Sequence, residues 1–141
     1  MNTNTIHRAH ATTIARTQAL RHHLPAETAA RPVDAGWISL RTARFEAASG
    51  VSVRLVLRAA TYRSLTGQLP SPRAAGQACL YALDGTRMNP AVVFLDLSLL
   101  HDRGQADRVL AHEFMHVCWP SYGHKAAAFE RAQQLLDALA P

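Results

Sequence analysis

The chain has 141 residues, 48% of them hydrophobic and 18% charged, which suits one folded domain and excludes a disordered polyelectrolyte. The net charge of +5 is uneven. Residues 1–74 hold ten arginines against three acids, a formal +7, whereas residues 75–141 carry five basic and seven acidic side chains, a formal −2. No apolar run approaches a membrane span, and the N-terminal stretch lacks the apolar core of a signal peptide; its arginines, threonines and lack of acids also fit a transit peptide. With only Cys79 and Cys118, no disulfide framework is expected, and a cytoplasmic location is the default.

In chain order, Ile6, His10, Ile14, Thr17 and Leu20 recur at helical spacing and predict a helix over 5–23, ended by Pro25. His7 and His10 then lie on one helical face, where solvated histidines are the ordinary reading and a second metal site the sharper one. A second helix is expected over 34–48, capped by Asp34, with Trp37, Leu40, Arg41, Ala43 and Phe45 along it and Ser49-Gly50 as its stop. Val51, Val53, Leu55 and Leu57 alternate with Ser52, Arg54, Val56 and Arg58, the pattern of a half-buried strand. Residues 64–76 read as a loop. Two strands follow, Gln77–Leu83 and Ala91–Leu97, turning at Asp84-Gly85, with Asn89-Pro90 lengthening the connection. A helix over 105–118 is ended by Pro120. The last helix, 124–140, aligns Phe129, Ala132, Leu135, Leu136 and Leu139. The expected fold is therefore α+β, in the order α-α-β-β-β-α-α. A small, mainly antiparallel three-stranded sheet would be covered by helices on one side. The whole chain, 1–141, reads as one domain. Residues 1–50 form a basic helical part, and 51–141 hold the sheet and the last two helices.

The chemistry is concentrated in His112-Glu113-Phe114-Met115-His116, an HExxH within the predicted helix 105–118. Histidines four apart stack on one helical face and can share one zinc ion at about 2.0–2.1 Å. Glu113, one residue around the helix, is placed for a general base acting on water at the metal. Phe114 and Met115 face the core. A catalytic zinc needs a third ligand and an open position. His124, eight residues after His116 and behind the turn at Gly123, suits an antiparallel return. Glu130 is the alternative third ligand. The metzincin pattern fails, because Trp119 and Tyr122 occupy its glycine and third-histidine positions. Cys118 reads as a small buried hydrophobe.

The segment HEFMHVCWPSYGHKAAAFERAQQLL resembles the core of the SprT-like zinc metallopeptidases: an HExxH helix, a connection, then Gly-His and a phenylalanine on a second helix. The resemblance covers the last third of the chain. It implies a minimal zincin fold, one zinc per chain on His112, His116 and His124, and Glu113 as general base in peptide hydrolysis. It also implies an extended peptide lying along Ala91–Leu97. Lys125 stands where the family usually has a second glycine, and no four-cysteine ribbon follows. Tyr122 is a candidate transition-state stabiliser; His101 reads as a surface-loop residue. The substrate is expected to be polypeptide, including DNA-associated protein. The basic first half, with Arg54, Arg58, Arg63 and Arg73, is a candidate surface for DNA contact. The competing reading is a non-enzymatic, zinc-stapled binding module, nucleic-acid-associated, with no membrane contact.

Overall fold

The computed structural model describes residues 9–140. Four strands, β1 (His10–Thr12), β2 (Val53–Val56), β3 (Gly76–Tyr81) and β4 (Arg87–Leu95), form one mixed sheet in the order β1-β3-β4-β2. β3 runs antiparallel to β1 and β4, whereas β2 runs parallel to β4, pairing Val53 with Ala91 and Val56 with Phe94. The described helices are α1 (Ile14–Thr17), α2 (Ala26–Ala29), α3 (Ala35–Ser49), α4 (Ala59–Thr66), α5 (Arg103–Cys118) and α6 (Ala126–Asp137).

This corrects the expected three-stranded, mainly antiparallel sheet and the simple helix order. The helix expected over 5–23 is, within the described residues, a short edge strand followed by one helical turn; His7 lies outside them. Thr12 and Thr13 favour extended backbone, and the pairing of His10 with Ala78 and Thr12 with Gly76 overrides the local helical spacing. His10 therefore belongs to a strand rather than a helix. α4, which the chain pattern did not reveal, covers the second sheet face. There Tyr62 packs with Val56, Cys79, Val92 and Phe94. Helices thus cover both faces. The run Ala91-Val92-Val93-Phe94-Leu95 is buried on both, as a central strand requires. Because β4 is flanked by β3 and β2, it offers no edge to a docking peptide, contrary to the expectation for Ala91–Leu97. Asn89-Pro90 lies inside β4, at the irregular register beside Tyr81, where the missing proline N–H is tolerated.

The main core lies between the sheet and α3, α5 and α6. α3 is capped by Asp34, which accepts a hydrogen bond from the Trp37 amide, and ends at Gly50 in the left-handed region (φ 76°). Its buried face is Ile38, Arg41, Thr42 and Phe45, while Leu40 points to solvent. Phe45 stacks on Phe114 of α5 at 5.4 Å. Arg41 makes a buried two-pronged pair with Asp107, Nε to Oδ1 at 2.5 Å and Nη2 to Oδ2 at 2.6 Å. One of the ten N-terminal arginines is thereby committed to the core, while Arg54, Arg58, Arg63 and Arg73 are exposed. No described helix is long and apolar enough to cross a membrane.

Candidate metal centre

α5 carries the HExxH. Asp102 caps it by accepting the Gln105 amide, and the apolar positions Ala106, Val109, Leu110, Phe114 and Met115 are fully buried. This packing fixes the rotation of the helix and points His112 and His116 at the same spot. After α5 the chain makes a 3-10 turn, Pro120–Tyr122, and reverses at Gly123. The φ of 57° and ψ of −125° there belong to a region that a side chain strongly disfavours. His124 follows, in the turn before α6 rather than in its first turn as expected. Its Nε2 lies 3.1 Å from that of His116, whose Nε2 is 2.9 Å from that of His112.

Three imidazole nitrogens thus converge. Around a tetrahedral zinc at about 2.0–2.1 Å, such nitrogens stand roughly 3.3 Å apart, so the donor set fits a metal ion. His112, His116 and His124 are the one group of three potential ligands this close among the described residues. Glu130 is exposed on α6 and outside the group. Burial keeps the rings neutral: it pushes His112 down to about 3 from 6.5, lowers His116 strongly, and lowers His124. Neutral imidazole is the form that binds metal. His10, unassigned by motif, stacks on His116 with ring centroids 4.4 Å apart and planes within 12°, bracing that ligand from β1.

Glu113 is wholly buried. Both its carboxyl oxygens lack a hydrogen-bond partner among the described residues; the Ala78 amide faces the group without a bond of normal geometry. Desolvation therefore raises its pKa well above the ordinary value. The side chain lies against Gly76 of β3. A Cβ there would stand 2.7 Å from Val109 Cγ1 and 2.9 Å from Glu113 Oε2. Gly76 was read from sequence as the end of a loop, so this requirement was not visible. Gly76→Ala is expected to lower stability by about 1–3 kcal/mol through overpacking. Urea denaturation checks this, and a change below a few tenths of a kcal/mol would contradict it.

The chain shows no significant match to protein-family models, to curated proteins or to solved structures. The functional reading therefore rests on the site itself. Tyr122, the sequence candidate for transition-state stabilisation, stacks near-parallel on Trp119 at 6.4 Å and is not among the residues lining the pocket beside the histidines. Arg16 of α1 does line that pocket, and sequence reasoning did not single it out. Phe129, expected on the core face of α6, is 41% exposed and lines the same pocket; Ala128 takes the buried position instead. Cys118 is half-buried and outside the cluster, and burial raises its thiol pKa.

Proposed function

We propose that the protein is a zinc-dependent peptidase of the SprT-like type. The observation carrying this reading is a fully buried, unpartnered carboxyl one residue from the first of three convergent histidines. A purely structural metal site has no use for such a group, which costs stability where it stands. His112, His116 and His124 would hold the ion. Zinc bound there supplies Lewis acidity, polarising a carbonyl and acidifying water. Glu113 takes a proton from the attacking water on its carboxylate and delivers it to the leaving amine nitrogen. His10 keeps the His116 ring in place. β1, one of the two outer strands of the described sheet and the one that carries His10, is the strand an extended peptide would join, in place of β4.

A zinc-stapled binding module is the second reading. It draws on the way His124 ties the start of α6 to α5; the exposed Arg54, Arg58 and Arg63 would supply its nucleic-acid contact, and the same surface would recruit a peptidase to DNA-associated substrates. The two readings separate in one assay. Zinc-loaded protein is expected to generate new amino termini from an unfolded polypeptide such as casein, and to stop when a chelator removes the metal. Stoichiometric zinc with no cleavage would favour the staple.

Zinc affinity should respond weakly to acid. With His112 depressed to about 3, protons do not compete for that ring until well below the ordinary 6.5. Affinity is expected to fall less between about pH 7.5 and about pH 6 than at a site of three solvated histidines, because His112 and His116 are buried while His124 is exposed. Competition titrations at both pH values check this; a loss as steep as that of solvated histidines would contradict the burial of His112 and His116.

A further inference from the structure

A pocket of about 140 Å³ opens directly beside His112 and His124. It is far smaller than the roughly 300–1,000 Å³ of a site for a drug-sized ligand, and matches a single side chain. Its wall is apolar: Leu20, Met115, Ala128 and Ala132 are all at most 3% exposed. Its rim is cationic. Arg16 and Lys125 line it, both are exposed, and no acidic side chain lines it among the described residues. Neither cation has a carboxylate partner among the described residues. The two come from opposite ends of the chain, Arg16 from α1 and Lys125 from the turn before α6. Lys125 stands where the SprT-like pattern usually has glycine.

We propose that this pocket receives the C-terminal residue of a polypeptide, with a medium-sized aliphatic side chain against the apolar wall and the α-carboxylate between Arg16 and Lys125. The charge complementarity is specific: an amide or an internal residue offers the two cations no negative charge, and an acidic side chain is a poor match for the wall. The proposal builds on the peptidase reading by naming its substrate class. Hydrolysis at the preceding bond would add hydroxide from water to the acyl carbon and a proton to the leaving nitrogen, releasing the terminal residue as a free amino acid.

The test is an NMR titration of the zinc-loaded full chain with N-acetyl-leucine and N-acetyl-leucinamide, observing Ala128 and Phe129, repeated with Arg16→Gln and Lys125→Gln. Both variants change exposed residues, so folding is not at stake. The acid is expected to bind about three- to tenfold more tightly than the amide, with the gap shrinking in each variant. Equal affinity for the two probes would overturn the proposal. So would a gap that survives both substitutions, since the carboxylate would then be held by the metal alone. Cleavage of peptides ending in leucine acid or leucine amide separates the two readings. If the Arg16-dependent gap is present without cleavage, the pocket stands and the peptidase reading fails. If both peptides are cleaved with the same KM, the peptidase reading stands and the pocket assignment fails.

Discussion

Glu113→Gln is expected to keep the fold and the bound zinc and to lower peptide cleavage by about 10²–10⁴-fold, the usual contribution of a general acid–base group. The substitution is nearly isosteric. It places an amide in a fully buried position where neither carboxyl oxygen has a partner among the described residues, so folding should not suffer. Proton transfer is lost because an amide cannot accept the water proton. The ligand nitrogens belong to other side chains, so zinc content should match wild type. Measuring zinc and initial cleavage rates on the same preparations checks both halves. Cleavage at the wild-type rate would remove Glu113 from the chemistry. Loss of zinc together with activity would show that the residue supports the metal site instead.

The second large effect lies in the scaffold. Asp107→Ala is expected to destabilise the protein by about 3–5 kcal/mol, because it strands the Arg41 guanidinium in the core. Asp107 is fully buried and Arg41 is 8% exposed. The pair joins α3 to the metal helix five residues before His112, so part of the loss should appear as weaker zinc binding. The double variant Arg41→Met with Asp107→Leu removes both charges and should recover most of the stability. Urea denaturation of the three proteins measures this. A single-variant loss below about 1 kcal/mol would mean that the pair is not desolvated as the structure shows.

The metal centre was legible because its information is local. An HExxH fixes two ligands through the helical repeat alone, and the glycine before His124 marks the return. The helix over 34–48, with its Asp34 cap, was equally plain, as was β2. What was missed depends on contacts distant in sequence. β1 is three residues long and exists through its pairing with β3. The parallel pairing of β2 with β4 leaves no mark in either strand, and without it β4 looks like a usable edge. Its unbroken apolar run from Ala91 to Leu95, a sign of burial on both faces, was the available clue. α4 was missed because Ala59–Thr66 is short, half of it polar, and buries only Tyr62 and Thr66. Asp107 could have been suspected as a lone acid on an otherwise apolar helix face, opposite a helix whose buried stripe includes Arg41. Arg16 had no such signal, since only the folded chain brings α1 beside His112.

The three-histidine centre is tested most directly by zinc-edge X-ray absorption on the full chain, with His116→Ala measured alongside. The expected spectrum shows one zinc per chain with three imidazole nitrogens at about 2.0–2.1 Å and a lighter fourth neighbour, and the variant should lose the metal. A protein that takes up no zinc, or a shell containing cysteine sulfur, would contradict the assignment of His112, His116 and His124.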